Sequence, residues 1–159
     1  MYKKILLTHD GSEVAALAVP HAAMLAKAAG APIVVAQVVD SVAQFMTRME
    51  PLIEPMMVGA MTVDLAEKSA KGQRGAAQAN LDQVAAVLTK EGVSGVSTLI
   101  IEGSAGTSII DAANSEGADV IVMATHGRSG LGRVLLGSVA EHVVRHAAKQ
   151  AVLLVRAAS

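Results

Sequence analysis

Five short apolar runs alternate with helical patterns along this chain, and this alternation restricts the fold more than any other feature. The runs cover residues 3–8, 33–39, 96–102, 118–124 and 151–156. Strands that alternate with helices form parallel sheets, because each helix returns the chain to the edge where the next strand begins. Helices then cover both faces of the sheet. We therefore predict one α/β domain over residues 1–159, a three-layer αβα sandwich around a five-stranded parallel sheet.

Four helical patterns separate these runs, and local signals mark where they begin and end. The patterns cover residues 12–29, 64–90, 108–116 and 137–148. Ser12 is placed to cap the first helix and Gly30 to end it. Gly72 and Gly75 weaken the second helix by about 1 kcal/mol each relative to alanine. We expect that helix to bend at these glycines or to begin after them.

Residues 41–62 do not follow the alternation. They contain two of the four prolines and five of the eight methionines. Two interpretations stay open: a mobile loop inserted in the domain, or a lid or partner surface built from adaptable methionine side chains. Thioethers without cysteine or histidine beside them make a poor metal site, so we predict none here.

Composition excludes several classes of function. A formal net charge of −1 argues against a strong electrostatic attraction to nucleic acid or to an anionic membrane. The absence of cysteine excludes disulfides, zinc ribbons and thiol chemistry. The first apolar run is too short for a signal peptide, and no run approaches the roughly 18–20 residues of a membrane span. We predict a soluble, cytoplasmic protein without a nucleic-acid or membrane partner.

Residues 120–139, VIVMATHGRSGLGRVLLGSV, join the fourth run to the last helix. The loop between them has glycines at positions 127, 130, 132 and 137. A helical pattern starts after Gly137, with Ser138 placed to cap it. Glycines let the backbone approach an anion, and the free N–H groups of a first helical turn attract negative charge. With Arg128 and Arg133 in the loop as charged donors, the segment predicts a site for a nucleotide or another phosphate ligand.

The same segment resembles the signature of the ATP-binding universal stress proteins: a glycine, two residues, a glycine, nine residues, then Gly-Ser or Gly-Thr. Gly127, nine residues and Gly137-Ser138 match, whereas Ala124 stands where the first glycine is expected. The opening KKILLTHDGSE and the closing AVLLVR also match, so the resemblance covers nearly the whole chain. It implies an adenine nucleotide alpha hydrolase-like, Rossmann-like fold with strand order 3-2-1-4-5. It further implies a stress-response module that binds ATP, with Mg²⁺ carried by the triphosphate, and a homodimer paired through the last strand.

The resemblance also implies which residues contact the ligand. In a sheet of this order ligands bind beyond the carboxyl ends of the strands, where the order reverses between the first and fourth strands. Asp10 is implied to bond ribose or adenine, and its alternative role is to cap the turn or helix after the first strand. The whole implied set is Thr8, His9, Asp10, Val38, Met123, Ala124, His126, Gly127, Arg128, Gly137, Ser138 and Val139.

We predict no catalytic residue and no metal site. The chain lacks a Gly-Lys-Ser/Thr phosphate loop and an evident pair of acids to hold magnesium and activate water, so efficient ATP hydrolysis is not expected. His142 and His146 stand four apart on the last helix, but the glutamate of a zinc protease is not between them. Three functions stay open: an ATP-binding signalling module; a slow ATPase, phosphotransferase or related adenylate-forming enzyme; and a family member without a nucleotide, which Ala124 favours.

Overall fold

The computed structural model describes residues 2–49, 60–125 and 137–157. The strands are β1 (Ile5–Thr8), β2 (Ile33–Val39), β3 (Val96–Glu102), β4 (Val120–Thr125) and β5 (Ala151–Arg156). The helices in these ranges are α1 (Glu13–Ala16), α2 (Ala18–Ala29), α3 (Val42–Met49), α4 (Ala60–Lys90), α5 (Ala105–Glu116) and α6 (Ser138–His146). Within the described ranges, no helix is both long and apolar enough to cross a membrane.

All five strands are parallel, and their order is β3-β2-β1-β4-β5. This confirms the predicted architecture. β1 is central: Ile5 lies opposite Ile33 of β2 on one side and Val120 of β4 on the other. The order reverses between β1 and β4, so the chain leaves the carboxyl ends of these two strands in opposite directions. β3 and β5 are the two edges of the sheet.

The three inner strands, β1, β2 and β4, are buried on both faces, which explains why they read as continuous apolar runs. Successive side chains of a strand point to opposite faces. Leu7 of β1 therefore packs in one core with Leu81 and Leu88 of α4 and with small residues of α2. Leu6, one residue earlier, packs in a second core with Ile109 of α5 and Val143 of α6. Each core lies between the sheet and the helices on one of its faces, which gives the three layers of the predicted sandwich.

The first predicted helix is two helices in the structure. Ser12 caps α1 as expected, because its Oγ accepts a hydrogen bond from the N–H of Ala15 at 3.1 Å. Leu17 then separates α1 from α2. Pro20 explains this break, because proline has no N–H to donate to the carbonyl of Ala16 and its ring crowds that carbonyl. Gly30 ends α2 in the left-handed conformation, with φ of 64°.

Helix α4 corrects the expectation of a start after Gly72 and Gly75. It runs unbroken from residue 60 to residue 90. Buried residues lie on both sides of the glycines, for example Ala70 and Leu81. Packing of this stripe outweighs the combined propensity cost of the glycines, about 2 kcal/mol.

Helix α3 lies inside the stretch for which the sequence predicted no regular structure. Ser41 and Gln44 form a reciprocal cap at its start: the N–H of Gln44 donates to Ser41 Oγ at 3.2 Å, and the N–H of Ser41 donates to Gln44 Oε1 at 2.9 Å. This Ser-x-x-Gln arrangement is a capping box. Arg48 then makes two hydrogen bonds to the carboxylate of Asp40. Residues 50–59 lie outside the described ranges, and the mobility of the methionine-rich stretch stays a prediction.

Boundaries of other elements also differ from the prediction. α5 begins at Ala105 rather than at residue 108, with Ser104 in the N-cap position. β4 begins later, at Val120, and extends through Thr125, one residue past its predicted end. α6 ends at His146, two residues early. The first two differences change which residues reach the predicted site.

Candidate functional site

A cavity of about 190 Å³ opens where the carboxyl ends of β1 and β4 diverge. We call it the switch-point cavity. The described residues that line it are Thr8, His9, Asp10, Ala15, Ala36, Val38, Ala105, Ile109, Met123 and Val139. Six of the twelve predicted site residues are thus brought together: Thr8, His9, Asp10, Val38, Met123 and Val139. His126, Gly127 and Arg128 lie outside the described residues.

Ala124 does not line the switch-point cavity. Its side chain packs on the core shared with α2 and α4, whereas Met123 packs on the opposite core, with α5 and α6. The alternation of a strand causes this difference, since neighbouring side chains point to opposite faces. The methyl group that distinguishes alanine from the expected glycine is therefore on the far face of β4 from Met123.

Asp10 opens the turn that follows β1. Its Oδ1 accepts a hydrogen bond from the N–H of Ser12 at 2.9 Å, across Gly11 with its φ of 87°. Partial burial raises the pKa of Asp10, but the hydrogen bonds from Ser12 outweigh burial and leave the pKa below its usual value. Asp10 is therefore an exposed, ionised carboxylate at the cavity. The turn-capping role is present, and contact with ribose stays a prediction.

His9 is a buried side chain beside this turn, with 6% of its surface exposed. Its Nδ1 accepts a hydrogen bond from the N–H of Gly11 at 3.1 Å. Burial lowers the pKa of His9, and the neighbouring Asp10 charge opposes that shift only in part. His9 is consequently an uncharged imidazole at neutral pH. Its own backbone N–H donates to the carbonyl of Ala36 at 2.9 Å, which continues the β1–β2 ladder beyond Thr8.

Two further polar side chains complete the surroundings of His9, and sequence reasoning missed both. The amide nitrogen of Asn80, on α4, lies 3.2 Å from His9 Nδ1 and donates to Gln37 Oε1 at 2.7 Å. Asn80 was hidden because it is 71 residues from His9. The one available signal was a lone asparagine on the otherwise alanine-rich inner side of a long helix.

The start of α6 approaches the switch-point cavity through Val139. Gly137 occupies the N-cap position and Ser138 is the first helical residue, which corrects the prediction that Ser138 caps the helix. The cap makes no side-chain hydrogen bond, while the N–H of Glu141 donates to the carbonyl of Gly137 at 2.9 Å. N–H groups of a first turn have no acceptor within their own helix. This end of α6 is therefore suited to an anion.

Thr125 connects β4 to the start of α6 and was also missed. It is 5% exposed, and its Oγ1 accepts a long hydrogen bond, 3.4 Å, from the N–H of Gly137. A polar residue at the end of an apolar strand was the available signal, as at Thr8 in β1. The Gly137 N–H, predicted to contact phosphate, faces Thr125 in this structure.

Helix α5 lines the cavity through Ala105 and Ile109, and it also packs closely against α6. A β-carbon placed on Gly106 would lie 2.7 Å from the ring of His142. That ring stacks on His146, with 4.3 Å between centroids, and His146 Nδ1 lies 2.8 Å from the carbonyl oxygen of His142. Among the described residues, no group of three or more His, Asp or Glu is arranged to hold a metal ion.

Comparison with known proteins places this geometry in one family. Residues 1–156 match the universal stress protein family. The universal stress protein MJ0531 of Methanocaldococcus jannaschii is 33% identical over 147 residues, which cover 92% of this chain and 78% of that protein. The solved structure of MJ0577, from the same organism, has a TM-score of 0.77 at 26% identity and covers 100% of this chain and 99% of that chain.

A universal stress protein solved in complex with cAMP has the same fold. Its TM-score is 0.65 at 21% identity, over 99% of this chain and 98% of that chain. The likeness at this identity is one of fold.

Proposed function

Since this chain belongs to the universal stress protein family, we propose that it binds ATP in the switch-point cavity and acts as a nucleotide-responsive module of the stress response. One observation carries the proposal: the ends of β1 and β4 and the uncapped start of α6 meet at one cavity. That is where ligands bind in open α/β sheets. The complex of a related fold with cAMP supports an adenine nucleotide as the ligand class.

The residues of the cavity fit the parts of a nucleotide. Val38, Ile109 and Met123 offer an apolar wall for a base. The ionised Asp10 offers an acceptor for ribose hydroxyls. The first turn of α6, with Ser138 and Val139, offers N–H groups for phosphate oxygens. Mg²⁺ would arrive on the triphosphate, held mainly by phosphate and water.

The position of Ala124 supports a nucleotide site over a family member without one. Ala124 was the single sequence feature in favour of a site that had lost its nucleotide. Its methyl packs on the α2 and α4 side of the sheet, and Met123 faces the cavity. A methyl on the far face of β4 removes no volume from the cavity. The substitution therefore leaves room for the ligand.

We propose a binding module rather than an efficient enzyme. Among the described residues that line the cavity, Asp10 is the only carboxylate. Phosphoryl transfer needs a positioned metal, a group that orients the nucleophile and stabilisation of charge. We propose slow turnover at most, and a cytoplasmic location for a protein of this kind.

The edge strand β5 supports a homodimer. β5 pairs with β4 on one side, and Leu153 in it is 37% exposed. An apolar edge strand with free backbone groups favours pairing with another chain, and we propose pairing with β5 of a second copy. Leu153→Lys should then sediment as a monomer, since the substitution would place a charge in each copy's half of the proposed interface. A dimer that persists in Leu153→Lys would place the interface elsewhere.

The test of nucleotide binding is a calorimetric titration of nucleotide-free protein with Mg-ATP. Gly137→Val is the variant, because φ of −56° at Gly137 accepts any residue and the added β-carbon would meet Thr125 Oγ1 at an ordinary 3.7 Å. The variant should fold, and its valine side chain should cover the first turn of α6. We expect dissociation constants on the order of micromolar for the wild type, about −8 kcal/mol, and binding at least roughly tenfold weaker, about 1.4 kcal/mol, for the variant.

Two outcomes would contradict the proposal. A folded wild-type protein that gives no heat with Mg-ATP would identify a family member without a nucleotide. Equal affinity in wild type and Gly137→Val would place the nucleotide away from α6. If ATP binds, release of inorganic phosphate over hours distinguishes a binder from a slow ATPase.

A further inference from the structure

The ring of His9 lies on the opposite face of the sheet from the switch-point cavity. Leu7, two residues earlier, packs with α2 and α4, and the alternation of an extended chain gives His9 the same direction. The amide nitrogen of Asn80 on α4, 3.2 Å from His9 Nδ1, agrees with that placement. Met123, which lines the cavity, packs on the other core, with α5 and α6. An effect of the His9 ring on a ligand in the cavity must therefore pass through the backbone.

Two consecutive hydrogen bonds close the turn between β1 and α1, each from a backbone N–H to the side chain two residues before it. The N–H of Gly11 donates to His9 Nδ1 at 3.1 Å, and the N–H of Ser12 donates to Asp10 Oδ1 at 2.9 Å. Gly11 provides the φ of 87° that this turn requires. The first bond closes a ring of atoms that includes the whole backbone of Asp10. His9 thereby fixes the direction in which the Asp10 side chain leaves the turn.

Helix α4 supports the turn from the same side. Asn80 Nδ2, beside His9 Nδ1, also donates to Gln37 Oε1 at 2.7 Å. A β-carbon on Gly11 would lie 3.8 Å from Asn80 Cγ, so the asparagine also approaches the turn itself. His9 is consequently buried between β2, α4 and the turn. A side chain enclosed in this way can hold in place the backbone to which it bonds.

The bond from Gly11 requires an uncharged His9. A backbone N–H is always a donor, so Nδ1 must carry a lone pair, and a charged imidazole, protonated on both nitrogens, cannot accept this bond. Burial lowers the pKa of His9, and the charge of Asp10 opposes that shift only in part. The residues of α1, α2 and α4 that line the groove beside the ring are uncharged: Ala16, Val19, Pro20, Asn80, Gln83, Val84 and Val87. The bond is therefore present at neutral pH and should break when acid protonates the ring.

We propose that His9 is a positioning residue for the nucleotide: its ring, on the far face of the sheet, holds the turn that presents the Asp10 carboxylate to the switch-point cavity. His9 then acts on the ligand through the turn and not by contact. This role rests on the proposed nucleotide function, whereas the hydrogen bond that performs it belongs to the ligand-free protein. Loss of the bond should loosen the turn and weaken nucleotide binding.

Two substitutions separate the hydrogen bond from the rest of the ring. In His9→Asn, Oδ1 branches from Cγ as Nδ1 does in histidine, and asparagine commonly accepts a hydrogen bond from the backbone N–H two residues later. In His9→Leu, a δ-carbon takes that place and accepts nothing. We expect Mg-ATP affinity in calorimetry to fall roughly three- to tenfold in His9→Leu, the effect of one hydrogen bond. In His9→Asn it should remain near the wild-type value.

Leu88→Ala is the control for lost stability. Leu88 is fully buried in the same core as Leu7, about two turns of α4 away from Asn80. The truncation should lower the melting temperature and leave the affinity for Mg-ATP unchanged. A fall in affinity in His9→Leu beyond that of Leu88→Ala is then an effect on the turn.

The pH profile of binding supplies a readout that a merely structural role of His9 would not move. Affinity for Mg-ATP is measured between about pH 4.5 and 8. Nitrogen NMR of the ligand-free protein identifies the pH at which the ring is protonated, with the His9 signal assigned by its loss in His9→Asn. Wild-type affinity should be full above the lowered pKa of His9 and fall as the pH decreases through it. That fall should be absent in His9→Asn, whose side chain does not titrate, whereas titration of the nucleotide is common to both proteins.

The outcomes separate this inference from the proposed function. A ring that is protonated on Nδ1, or charged at neutral pH, would overturn the role of the Gly11 bond whether or not ATP binds. Equal affinity in wild type and His9→Leu, or equal pH profiles in wild type and His9→Asn, would overturn the positioning role while nucleotide binding stands. A folded wild-type protein that binds no ATP would contradict the proposed function itself.

Discussion

Gly106→Ala is expected to destabilise the protein, although alanine is the better helix former. Alanine gains up to about 1 kcal/mol over glycine within a helix. The new methyl would lie 2.7 Å from the ring and 3.0 Å from the β-carbon of His142. Because the β-carbon is attached to the backbone of α6, a change of rotamer cannot remove the whole contact. Overpacking of this kind costs about 1–3 kcal/mol, so we expect a net loss of about 1 kcal/mol, with α6 displaced relative to α5.

Urea unfolding of four proteins measures the contact itself: wild type, Gly106→Ala, His142→Ala and the double variant. With the ring of His142 removed, only the 3.0 Å contact to its β-carbon remains, so Gly106→Ala should become less destabilising, and the coupling energy should be about 1–3 kcal/mol. Gly75→Ala in α4 is the matched control, because nothing lies within 4 Å of its added β-carbon. It should stabilise the protein in either background. The reasoning is refuted if Gly106→Ala stabilises the protein equally with and without His142.

Two other predictions concern hydrogen bonds to single side chains. The backbone N–H groups of Lys3 and Lys4 donate to the Asp119 carboxylate and hold its pKa below the usual value. The stability that Asp119 contributes should therefore be complete above about pH 4, the pKa of an unfolded aspartate. This stability should be lost as the pH falls through the lowered pKa of the folded protein. Asp119→Asn should therefore lose less stability than the wild type when urea midpoints are followed into acid, and identical curves would contradict this role. Thr125→Val removes the acceptor of the Gly137 N–H and should weaken ATP binding severalfold in calorimetry, whereas Thr125→Ser should retain it. Equal weakening by valine and serine would show that the hydroxyl is unimportant.

The sequence contained most of what defines the fold, because the signals are local. Each apolar run was long enough for one strand, and all five strands occur close to their predicted positions. Ser12 and Gly30 marked helix ends through interactions with residues only a few positions away. The strand order came from the family resemblance carried by Gly127 and Gly137-Ser138, since five parallel strands alone permit several orders.

Where helix boundaries differed from the prediction, the causes were ones that composition and residue spacing do not reveal. The break at Leu17 follows from Pro20, three residues later, inside a pattern that otherwise reads as one helix. The capping box of Ser41 and Gln44 starts α3 in a stretch whose prolines and methionines suggested irregular structure. Helix α4 continues through Gly75 because its packing on the sheet exceeds the local preference of the glycines.

The sequence also named six of the ten described residues that line the switch-point cavity, those at the ends of β1, β2 and β4 and at the start of α6. Tertiary structure alone decided the rest. It placed the methyl of Ala124 on the far face of β4, brought Thr125 against Gly137, and set Asn80 beside His9 across 71 residues. A helix or strand is determined by neighbours a few residues apart, whereas the hydrogen bonds of a buried side chain are determined by whichever groups the folded chain places beside it.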